Sequence, residues 1–114
     1  MSKLKASGLE VLQMTTTAMA REWMKIFYGF IQTKKIPLRM ITDMVRNENG
    51  TVNTEAAIDW LGILEKEFDY AKQVLIYCDR EEQAYMTIDS RGVDRKRVQV
   101  TRRRDDVLEF ALQQ

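Results

Sequence analysis

The chain of 114 residues contains no histidine, one cysteine and one proline. Without histidine there is no ordinary general base near neutral pH, no Ser-His or Cys-His nucleophile pair, and no histidine ligand for zinc. With Cys78 alone no intramolecular disulfide can form, which fits a reducing compartment, and the cytoplasm is the expected location. Cys78 itself reads as a small apolar residue of a strand. The five glycines stand singly, so neither a phosphate-binding loop nor a dinucleotide fingerprint can be written. Long apolar runs are missing as well. The most apolar stretch, Ile26 to Ile31, falls far short of the roughly 20 residues of a membrane span, and the polar residues scattered through 6–17 leave no signal-peptide core. No membrane association is expected.

Carboxylates are the remaining route to catalysis. Glu65, Glu67 and Asp69 alternate along an expected helix without sharing a face, and Glu81 with Glu82 lies in an expected turn. Both read as solvated surface, so the sequence predicts no enzyme, no metal site and no cofactor.

What is present is an ordinary globular composition, 45% hydrophobic and 31% charged, in a length that makes residues 1–114 a single domain. The formal net charge of +1 hides a strong segregation. Residues 1–47 carry eight basic and three acidic residues, residues 48–90 three and ten, and residues 91–114 seven and four, giving sums of +5, −7 and +3. Such a chain can neutralise itself internally, pair with a copy of itself, or offer opposite charges to different partners.

Periodicity predicts a first helix over about 8–32, with Ser7 and Glu10 as a capping box and Leu9, Leu12, Thr16, Met19, Trp23, Ile26 and Phe30 along one face. Its last third is apolar nearly all round, which points to a homodimer interface at Trp23, Phe27 and Phe30. Leu38, Ile41, Met44 and Val45 predict a short second helix after Pro37, stopped by Asn47–Gly50. Ala57, Trp60, Leu61, Leu64 and Phe68 predict a third from Thr54 to Lys72. Met19, Met40 and Met44 read as core filling, as do Trp23 and Trp60. Residues 73–79 and 84–89 then read as a hairpin, and 95–102 as a third strand with Val98 and Val100 inward and its arginines on a solvated face. Asp106 and Glu109 open a last short helix. The expected fold is therefore α+β: three N-terminal helices, a two- or three-stranded antiparallel meander, and a C-terminal helix.

That element order resembles many winged-helix DNA-binding domains, with residues 36–67 in the place of the paired helices and 73–89 in the place of the wing. The resemblance implies DNA binding, but the helix that would enter the groove carries Glu55, Asp59, Glu65, Glu67 and Asp69, and acidic side chains repel a duplex bearing one charge per about 1.7 Å. Contacts to a DNA or RNA backbone would instead come from the run RGVDRKRVQVTRRR at 91–104, through Arg91, Arg95, Lys96, Arg97, Arg102, Arg103 and Arg104. The function expected is a small non-enzymatic regulatory protein binding nucleic acid through phosphates. The alternative is a protein-interaction module or inhibitor of phage or plasmid type, a helical dimer meeting a protein partner through its acidic and apolar surfaces.

Overall fold

The computed structural model describes residues 12–70 and 72–112. Its elements, in chain order, are helix α1 (Thr17–Lys34), strand β1 (Met40–Asp43), a hairpin of β2 (Arg46–Glu48) and β3 (Thr51–Asn53), helix α2 (Ala56–Ile63), strand β4 (Val74–Tyr77), helix α3 (Glu81–Ser90), strand β5 (Val98–Thr101) and helix α4 (Arg104–Leu112). Helix α2 runs on into a wider π-helical turn, Leu64–Phe68, and a 3₁₀ turn, Arg95–Arg97, leads into β5. The fold is α+β, but a three-stranded parallel sheet in the order β1-β4-β5 replaces the expected meander, beside the separate antiparallel pair β2-β3.

Two elements correct the sequence reading. Leu38, Ile41 and Met44 mimic a helical stripe by their spacing, yet Met40–Asp43 pairs in parallel with Val74–Tyr77. The chain then turns at Asn49 (φ 56°) and Gly50 (φ 95°) into β3, so the residues expected to stop a helix form a two-residue hairpin loop. Successive positive φ values are those of a type I′ turn, for which Asn-Gly is the preferred pair. Residues 84–89, expected as a strand, lie in α3. Ala84 and Ile88 sit four apart and are both buried, while Glu81 and Glu82 occupy the first turn, where the helix dipole favours carboxylates. Among the described residues no paired helices precede the sheet and no wing follows it, so the winged-helix order is gone.

Register puts Met40, Thr42, Val74, Ile76, Val98 and Val100 on one face of the sheet. The core forms there, under Ala57, Ile58, Trp60, Leu61 and Leu64 of α2, Ala84 and Ile88 of α3, and Met24 of α1. Leu75 points to the other face and is also buried, because α4 packs against β4 and sinks Phe110. A strand covered on both sides reads as the unbroken apolar run Val-Leu-Ile. Thr101, expected on a solvated face with the arginines, is buried and Gln99 half-buried for the same reason.

Helix α1 starts later than periodicity predicts. Thr16 is its N-cap, its hydroxyl accepting the Met19 N–H at 3.1 Å; the Ser7–Glu10 capping box lies outside the described residues. Only Met24 and Ile31 of α1 are fully buried, with Ala20, Trp23 and Tyr28 half-buried against the core. The stripe expected to face inward is turned by about a quarter of the helix.

Candidate phosphate-binding corner

The basic run does not form one surface. Strand β5 is four residues long and the run extends from both its ends, so on the order of 10 Å of strand divides it. Before β5 the arginines face carboxylates. Arg91, which caps the C-terminus of α3, reaches α2 with Nη1 2.8 Å from Glu55 and Nη2 3.0 Å from Asp59. Arg95 grips Asp89 through two hydrogen bonds of 2.8 and 2.6 Å and lies 4.8 Å over the Tyr85 ring. Arg97 turns inward, donating to the Tyr70 carbonyl and standing 3.5 Å from Glu65. Only Lys96 of this group is exposed with no acidic partner among the described residues.

These pairs resolve the charge segregation. Of the ten acidic residues in 48–90, six are paired: Glu48 with Arg46, Glu55 and Asp59 with Arg91, Glu65 with Arg97, Glu67 with Arg21, and Asp89 with Arg95. Just over half of the acidic middle is thus met by the basic flanks on either side of it. The hydrogen bond from Asn53 does most to hold the Asp59 carboxyl below its ordinary range; partial burial opposes it and Arg91 adds to it. Across the ion pair, the hydrogen bond to Asp59 is the largest of the effects that raise the guanidinium of Arg91.

Beyond β5 the situation reverses. Arg102, Arg103 and Arg104 follow the strand directly, all three exposed, and no carboxylate pairs with their guanidinium groups among the described residues. Their backbone is fixed although their side chains are free. The Arg102 N–H donates to Glu81 at 3.1 Å, and the Arg103 N–H to the Thr101 hydroxyl at 3.0 Å, which itself donates to Asp106 at 2.5 Å. The corner therefore sits at the C-terminal end of a parallel strand, where α4 begins.

Beside Arg102 runs an open cleft of about 480 Å³ lined by Asp79, Arg80, Glu81, Glu82 and Gln83, the loop after β4 and the first turn of α3. Sequence reasoning missed this acidic wall because it placed residues 80–83 in a hairpin turn. Among the described residues no group of three His, Cys, Asp or Glu side chains could hold a metal ion. Cys78 lies half-buried at the same strand end, its Sγ accepting the Arg80 N–H at 3.4 Å.

No family model matches the chain, and no curated protein and no solved structure matches it. Among the described residues no helix is long and apolar enough to cross a membrane. Trp23, Phe27 and Phe30, expected at a dimer interface, lie on α1: Phe27 and Phe30 are exposed and Trp23 half-buried, its ring 5.3 Å from that of Phe27.

Proposed function

We propose that this is a non-enzymatic protein that binds the phosphate backbone of nucleic acid at the corner made by Arg102, Arg103 and Arg104. One observation carries the reading: of the arginines in the basic run, these three are the ones left without a carboxylate, and they are consecutive. A guanidinium already held by two carboxylates has little left to offer a phosphate, whereas a free one presents a planar fork matched to its oxygens. The contacts position the protein without reading bases, since hydrogen bonds to phosphate oxygens carry no sequence information. The acidic wall beside Arg102 confines the bound strand to the Arg103 and Arg104 side. A cytoplasmic location accords with an unpaired cysteine.

The test is fluorescence anisotropy with labelled duplex and single-stranded oligonucleotides. Arg102, Arg103 and Arg104 changed together to Ala are expected to remove binding, while Arg91→Ala and Arg95→Ala leave it within a factor of about two. Equal losses from both sets would remove the corner as the site. A second reading, a protein-interaction module or inhibitor, draws support from the exposed apolar residues of α1 and would appear as absence of binding to every oligonucleotide at low salt.

A further inference from the structure

Helix α1 has two apolar faces, and the fold uses one. On the other, Met19 is 50% exposed, Ile26 68%, Phe27 44% and Phe30 56%. Together these four open an apolar patch on the order of the 300–600 Å² that is the largest on a typical monomer. A standard protein interface takes about 800 Å² per partner, a little over half of it non-polar, so about 450–500 Å² of apolar surface is what one side of a stable dimer needs.

The stripe also has the symmetry of a self-contact. Met19, Trp23, Ile26 and Phe30 are spaced four, three and four, the seam of a two-stranded coiled coil, and that spacing is the same read in either direction. Antiparallel copies about a two-fold axis then place Met19 against Phe30 of the second copy and Trp23 against Ile26 of the second copy, twice over, as an isologous interface requires. A parallel pair would bring together two Lys34 side chains, one turn beyond Phe30, and align both helix dipoles. The antiparallel pair sets Lys34 beside Thr15 of the second copy and opposes the dipoles.

We infer that the outward face of α1 is a homodimer interface in which two copies of the helix pack antiparallel through Met19, Trp23, Ile26 and Phe30. The tilted Trp23–Phe27 ring pair supplies a rigid aromatic anchor near its centre. The interface stands independently of the phosphate-binding corner.

Light scattering at tens of micromolar is expected to give twice the 13.4 kDa chain mass for the wild type and the single mass for Phe30→Glu and Ile26→Glu, with unchanged circular dichroism because both side chains are exposed. Orientation is read by cross-linking in a Cys78→Ser background. Met19→Cys mixed with Phe30→Cys should give a disulfide between the two variants and little within either alone. A monomeric wild type, a dimer that survives both glutamates, or cross-linking of Met19→Cys to itself would each overturn the inference.

Discussion

Arg91 Nη2 lies 3.0 Å from Asp59 Oδ1, a contact between residues 32 apart in sequence that ties the end of α3 to the start of α2. It explains why a dense basic run yields only a small basic corner: the fold spends its earlier arginines on its own carboxylates. Arg91 is exposed, so Arg91→Ala should cost at most about 1 kcal/mol in urea unfolding. Nucleic-acid affinity should not fall, because the substitution leaves Glu55 and Asp59 remote from the corner.

Acid should loosen the start of α1. Glu48 accepts the Thr17 backbone N–H at 2.9 Å and the Thr17 hydroxyl at 2.6 Å, and Arg46 stands 3.4 Å away. Burial pushes its carboxyl up, but the Thr17 hydrogen bonds and the Arg46 charge together outweigh it and hold the group below its ordinary 4.5. The stabilisation is complete above that ordinary value and is lost as pH falls through the lowered one. Glu48→Ala should cost about 2 kcal/mol at neutral pH, the usual worth of hydrogen bonds to a charged group, and flatten the dependence of the melting temperature on pH below 5.

Tyr70 gives a signal at the other end of the scale. Burial pushes its phenol up to about 12, and its hydroxyl donates to the Leu38 carbonyl at 3.2 Å. Folding favours the neutral phenol, so this stabilisation is present below pH 10 and disappears as pH rises toward 12. Absorbance titration of the phenolate should show a last step near pH 12 in the wild type that Tyr70→Phe removes.

A Cβ at the second position of the β2-β3 turn should strain the backbone. Nothing lies within 4 Å of a Cβ built on Gly50, so the cost is purely one of backbone, at φ 95°. Gly50→Ala should destabilise by about 1 kcal/mol or more, while Asn49→Gly is near neutral. A melting temperature unchanged by Gly50→Ala would contradict the turn.

Local signals were legible and long-range ones were not. Val74–Tyr77 and Val98–Thr101 are strands of branched residues, and Arg104–Leu112 is a helix begun two residues before the expected Asp106. Strand β1 was hidden, because a four-residue parallel strand owes its existence to a partner 34 residues on, Met40 to Val74, and its own spacing fits a helix. The Asn-Gly pair and the Ala84/Ile88 spacing carry the correct reading of their elements, while the expectation of a strand at 84–89 follows from pairing it in a hairpin with 73–79. On α1 the stripe shows in the sequence and its direction does not: Ile26 and Phe30 lie on a side that the molecule leaves open, Trp23 is half-buried against the core at its margin, and Met24 enters the core. The corner was half legible. Charge density marked all of 91–104, but which arginines meet Glu55, Asp59, Asp89 and Glu65 depends on contacts the sequence does not show.

The number of phosphates engaged tests that division most directly. For duplex DNA the logarithm of the binding constant falls with the logarithm of salt concentration with a slope of about −0.9 per phosphate contact. In the monomeric Phe30→Glu variant, which presents one corner per molecule, three free arginines predict a slope of about −2 to −3, and the triple change at Arg102, Arg103 and Arg104 removes the binding itself. A slope near −6, the value for all seven basic residues of the run, would contradict the account, since it would mean that Arg91, Arg95 and Arg97 leave their carboxylates to bind.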